Sequence, residues 1–113
     1  MTGDNVLRAI AEAGNMGRWA MTRHAREQSG KRMIGDEALM RALAWGEILE
    51  SYPNDPRGAS CLILGHDETQ RPVHAVVAFD ASGILVVITL YEPGPPKWID
   101  ERTRRTPERR EQE

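Results

Sequence analysis

Cysteine is nearly absent from this 113-residue chain. Cys61 stands alone, so no intrachain disulfide can form, and that usage suits a reducing compartment. Long apolar runs are missing too. No stretch approaches the roughly 20 residues needed to cross a bilayer. The opening MTGDNVLRAI holds no apolar signal core. The expectation is a soluble, cytoplasmic protein with no membrane partner. Paired metal-ligand spacing is also lacking: Cys61, His66 and His74 fall on separate elements. There is no glycine-rich phosphate loop, nucleophile elbow or HExxH. No metal and no cofactor are expected. Nor does one sign of charge dominate. The formal net charge of −2 excludes a whole-molecule attraction to nucleic acid.

What the chain does have is a central apolar stretch, Arg71 to Trp98. It reads as two strands rich in Val and Ile, residues that fit a pleated, half-buried surface. Asp80-Ala81-Ser82-Gly83 supplies the turn between them. A two-residue turn at Ala81-Ser82 sets Phe79 opposite Ile84, Val77 opposite Val86 and His74 opposite Thr89, with Tyr91 one pleat further on the same face. A three-residue loop with a bulge at Gly83 shifts that pairing by one. The shorter turn is the expected one.

Upstream, apolar spacing predicts a helix over Asp4–Ala13 capped by Asp4, and a second over Thr22–Ser29 capped by Thr22 and ended by Gly30. A third runs from Asp36 to Trp45 with Gly46 after it. Glu47–Tyr52 and Ser60–Gly65 read as strands around a Pro- and Gly-bearing loop. Helices followed by consecutive strands indicate an α+β domain, N-terminal helices packed on a mostly antiparallel four-stranded sheet. The domain is expected to span residues 1–105, with 106–113 a charged, disordered tail offering almost nothing to bury. The two central strands are apolar on both faces, so each face needs a cover, or one forms a cleft or an interface.

The second helix and its flanks carry a local basic patch that includes Arg23, His24, Arg26, Lys31 and Arg32, opposed only by Glu27. A patch of this kind is a footprint for phosphate contacts, and equally the composition of a solvated helix face. His74, Thr89 and Tyr91 are ordinary strand residues singled out by their shared face. Metal-free RNA cleavage needs a base for the ribose 2′-OH, an acid for the leaving oxygen, and donors for the crowded phosphate. His24, His74, Arg32, Thr89 and Tyr91 are the residues expected to supply those parts. Arg23, Arg26, Gln28 and Lys31 are the expected RNA contacts.

The stretches TRHARE at 22–27, AWGEILESYP at 44–53, RPVHAVVA at 71–78 and ITLYEPGPPKW at 88–98 resemble the domain-of-unknown-function family 4258. That pattern has a helix-start histidine, here His24. It has a strand histidine, here His74, and a T-x-Y-x-P run, here Thr89, Tyr91 and Pro93. The resemblance implies a RelE/barnase-type fold and a toxin of a toxin–antitoxin pair. Its expected partners are RNA, including ribosome-held RNA, and a cognate antitoxin or other protein. Family members usually read H-A-x-x-R-M-x-x-R-G-I after the helix start. Here Gln28 replaces the first arginine and Met33 the glycine, while Arg32 is kept. Glutamine donates hydrogen bonds but cannot neutralise a phosphate. Two functions therefore follow: a metal-independent ribonuclease attacking through the 2′-OH, or a non-catalytic protein-interaction module of the same fold.

Overall fold

The β4–β5 hairpin is the centre of the computed structural model, which describes residues 3–56, 58–95 and 97–104. In chain order the elements are α1 (Gly3–Asn15), β1 (Trp19–Met21), α2 (Arg23–Lys31), α3 (Asp36–Trp45), β2 (Glu47–Tyr52), β3 (Ser60–His66), β4 (Pro72–Phe79) and β5 (Leu85–Tyr91). The expected tail, 106–113, lies outside the described residues.

The sheet has five strands, in the order β1-β5-β4-β3-β2, rather than the expected four. β1 is the addition. It pairs parallel with β5, Trp19 with Leu85 through Met21 with Val87. Three residues are too few to show a periodicity, so no strand was expected between Gly17 and Thr22. The other pairings are antiparallel. The helices also differ at their ends. Asp4 lies inside α1, and α2 runs through Gly30 to Arg32 at its C-cap.

All three helices contribute to the core on one face of the sheet. Ile10, Ala25, Ile34, Leu39 and Leu43 pack there against Ile63, Val73, Ala75, Val77, Val87 and Leu90. Two glycines make room for α3. A Cβ on Gly65 would stand 2.4 Å from Ala42 Cα, and one on Gly46 would stand 2.4 Å from Ala42 O. Gly46 therefore serves close approach, since its φ of −77° is open to any residue.

The β4–β5 register corrects the expected one. Asp80 closes a three-residue turn: its N–H donates to Ile84 O (2.9 Å), Gly83 N–H donates to Asp80 O (3.0 Å), and Gly83 adopts φ +87°. Asp80 Oδ1 also accepts from Ser82 N–H, Ser82 O–H and Ile84 N–H. Phe79 thus pairs with Leu85 and Val77 with Val87. A bulge then leaves Ile88 without a partner, so Val76 pairs with Thr89 and His74 with Tyr91. His74 does not oppose Thr89. Two one-residue shifts add to two, which changes every partner but returns Thr89 and Tyr91 to the face of His74.

A second bulge acts likewise in β2. Ile48 pairs with Ile63 on the helical face, Leu49 is extra, and Glu50 pairs with Leu62. Glu50 and Tyr52 are thereby turned to the face away from the helices. That face is covered by residues 98–104, with Tyr52, Leu62 and Trp98 at its buried centre.

Candidate functional site

His74 lies in the middle of the far face, between Leu64 on β3 and Tyr91 on β5. It is fully buried. Its Nε2 is 2.7 Å from the carbonyl oxygen of Glu101. A carbonyl only accepts, so Nε2 carries the proton and Nδ1 accepts from the Tyr91 hydroxyl at 3.3 Å. Trp98 stands edge-on to the imidazole, with centroids 4.5 Å apart. Burial pulls the His74 pKa below its ordinary 6.5, despite the Glu101 carbonyl. The ring is neutral and spoken for at both nitrogens. It fixes the position and proton direction of Tyr91 and leaves no atom for a substrate.

The remaining far-face groups form a second network. Glu50 accepts from Arg104 through both oxygens, at 3.0 and 2.9 Å, and also from the Tyr52 hydroxyl. The Arg104 guanidinium lies 4.7 Å above the Trp98 ring. No buried side-chain polar atom among the described residues lacks a partner. Sequence reasoning missed Glu50, Tyr52, Glu101 and Arg104. The available signals in the sequence were Pro93 and Pro95, residues that break a strand, and the Trp98 that follows them.

The start of α2 is tied to the edge of β5. Thr22 N–H donates to Val87 O (3.0 Å), and the Thr22 hydroxyl donates to Ile88 O (2.7 Å) while accepting from Ala25 N–H (3.0 Å). One hydroxyl thus caps the helix and fastens it to the bulge. His24 follows two residues later, exposed in the first turn. The start of α2 thus lies against the backbone of β5 just before Thr89, whereas the side chains of Thr89 and Tyr91 turn to the face of His74. His24 and His74 share no hydrogen bond or ring contact among the described residues. The helix of His24 packs through Ala25 into the opposite core.

The far end of α2 is held by Arg71. Its guanidinium donates to Arg32 O (3.0 Å) and Met33 O (2.7 Å), and it pairs with Asp67 and, at 3.8 Å, with Glu92. Asp67 is correspondingly acidic: the Thr69 hydroxyl, ahead of its other donors, holds its pKa at about 2. α2 thus follows β5 from Ile88 towards Glu92. Arg32 is eight residues from His24, about 12 Å along a helix axis. The two therefore flank the strand edge at separate points. Arg32 Nε meets Gln28 Oε1 at 3.4 Å. Arg23, Arg26 and Lys31 are exposed and make no ion pair among the described residues. Met33 sits at φ +54°, which explains why glycine suits that position.

Elsewhere the chemistry is poorer. An apolar cleft of about 250 Å³ near Val6, Ile10 and Phe79 contains Cys61, whose thiol is pushed up to about 11 by burial and is therefore unreactive. No cluster of three or more metal-ligating side chains occurs among the described residues. No helix among them is long and apolar enough to cross a membrane.

A family model described as Domain of unknown function (DUF4258) matches residues 21–92, well over half of the chain. No curated protein and no solved structure matches it.

Proposed function

The chain belongs to the DUF4258 family, and from that premise we propose that it is a metal-independent ribonuclease working at the edge between α2 and β5. One observation supports the reading: the Thr22 bonds to Val87 and Ile88, which hold the start of α2 against the edge of β5 just before Thr89. His24 takes the proton of the ribose 2′-OH. The 2′-oxygen attacks phosphorus, the bond to the 5′-oxygen breaks, and the Tyr91 hydroxyl, turning its proton away from His74 Nδ1, gives it to that oxygen. The products are a 2′,3′-cyclic phosphate and a 5′-hydroxyl end. Thr89 donates a hydrogen bond to the phosphate, and Arg23 and Arg26 hold the strand electrostatically. His74 is a positioning residue, acting through Tyr91. Arg32, with Gln28, meets a neighbouring phosphate rather than the scissile one. The fold and role are of RelE/barnase toxin type, with an antitoxin as the natural protein partner.

The experiment is cleavage of single-stranded RNA, free and ribosome-bound, in excess chelator. The reading expects a cyclic phosphate product, resistance of 2′-O-methylated RNA, and loss of about 10²–10⁴-fold for His24→Ala. Unchanged cleavage by His24→Ala, or a requirement for divalent ions, would contradict it. A second reading rests on Gln28. With that cation missing, the protein binds a partner without cutting RNA. A Gln28→Arg variant that cuts where wild type does not would establish that reading.

A further inference from the structure

We infer that the segment Trp98–Arg104 is a gate over the far face, opened when RNA takes its arginines from Glu47 and Glu50; this rests on the ribonuclease reading. The cover is unlike a packed helix. Trp98 is its one deeply buried large side chain, whereas Ile99 is 62 % exposed. Its other ties are polar. Arg102 pairs with Glu47, both about half exposed, and Arg104 pairs with Glu50. His66 Nε2 meets Glu101 at 3.0 Å, and the Glu101 carbonyl takes the His74 proton. Internally it is held by Trp98 N–H to Gly94 O and Ile99 N–H to Thr103 O.

Beneath this cover lie the acid, phenols and imidazole of Glu50, Tyr52, Tyr91 and His74. In the closed form the imidazole has no exposure, and Tyr91 has one side turned inward to it. A polyanion attracts Arg102 and Arg104 with the same charge that Glu47 and Glu50 use. The exposed Arg102–Glu47 pair is weak and screened by salt, so it exchanges first; the Arg104–Glu50 pair, only 10 % and 25 % exposed, is the tie that the polyanion must compete for. Release of Arg104 also removes the cation stacked on Trp98, which loosens the one apolar anchor. Opening exposes Tyr91 and His74 from β5 across to β4.

The test is amide hydrogen exchange on the full chain, comparing the Trp98–Thr103 amides with those of β4. Added 2′-O-methylated RNA, which binds without being cut, should speed exchange of the segment about tenfold and leave β4 unchanged. An Arg102→Gln/Arg104→Gln variant should show the faster exchange without RNA. If RNA binds and is cut while the segment stays as protected as β4, or if the variant exchanges like wild type, the gate is overturned and the ribonuclease reading survives. If the variant opens but neither protein cuts RNA, the ribonuclease reading falls and the opening itself stands.

Discussion

On the helical side of the sheet the buried cluster from Ile10 to Leu90 is apolar throughout. On the other side Glu50, Tyr52, His74 and Tyr91 share the space with Leu62 and Trp98. The same strands make both faces, so strand propensity cannot account for the difference. Two bulges do. Leu49 and Ile88 each add one residue, and each turns the following polar residues away from the helices. The covers differ in kind as well. Helices bring continuous apolar stripes, whereas the 98–104 segment brings one indole and several charges. One face holds the fold together, and the other stores groups capable of chemistry.

The largest expected effect sets the two covers against each other. Leu39→Ala, fully buried on the helical side, should cost about 2–5 kcal/mol in denaturant unfolding. Trp98→Ala removes a larger side chain but should cost less than half as much. Its loss is capped by the free energy that closes the segment, because the open form remains folded. Equal costs would mean that both covers belong to one cooperative unit.

Next comes Met33→Gly. A non-glycine residue in the left-handed region costs on the order of 1 kcal/mol, so this change should stabilise the protein by about that amount. It touches neither core, and thermal unfolding would show the gain. A loss would mean that Arg71, bonded to Met33 O, has already offset the strain.

pH separates the faces in a third way. The pKa of His74 is lowered in the fold, so the unfolded chain binds more protons below 6.5. Stability is then complete above 6.5 and declines as pH falls below it. Exchange at Trp98–Thr103 should accelerate before β3 and the helices respond. A His74→Gln variant should lose that part of the acid sensitivity. The smallest effect should come from Arg102→Ala, a loss at the edge of detection that vanishes in high salt, as for any exposed pair.

Which face His74, Thr89 and Tyr91 take was legible in the sequence, because the period of two survives a shift of two; the faces of Val86, ahead of one bulge, and Glu50, after the other, were not. His74, Thr89 and Tyr91 were correctly grouped for that reason. Their partners were not legible. Turn length and bulges are decided by backbone hydrogen bonds to Asp80 and by Thr22 reaching Ile88, contacts up to 66 residues apart. The 98–104 segment was unreadable for another reason. Its mixed charge has the composition of a solvated chain, yet a carbonyl, an indole and a guanidinium dock there. Thr22 was read correctly as a cap, but its second bond, the one that ties α2 to β5, has no local signature. The sequence grouping also counted His74 as an acid or base; in the fold it is buried with both nitrogens bonded, and the proposal gives it the part of supporting Tyr91.

A double-mutant cycle on RNA cleavage tests that assignment most directly. Rates would be measured for wild type, Tyr91→Phe, His74→Gln and the double variant, across pH. If His74 acts only through the Tyr91 hydroxyl, the double variant should be no slower than Tyr91→Phe alone. His24→Ala should remain damaging in every background. Multiplicative losses from His74→Gln and Tyr91→Phe, with His24→Ala nearly silent, would place the substrate against His74 and contradict the site at the α2–β5 edge.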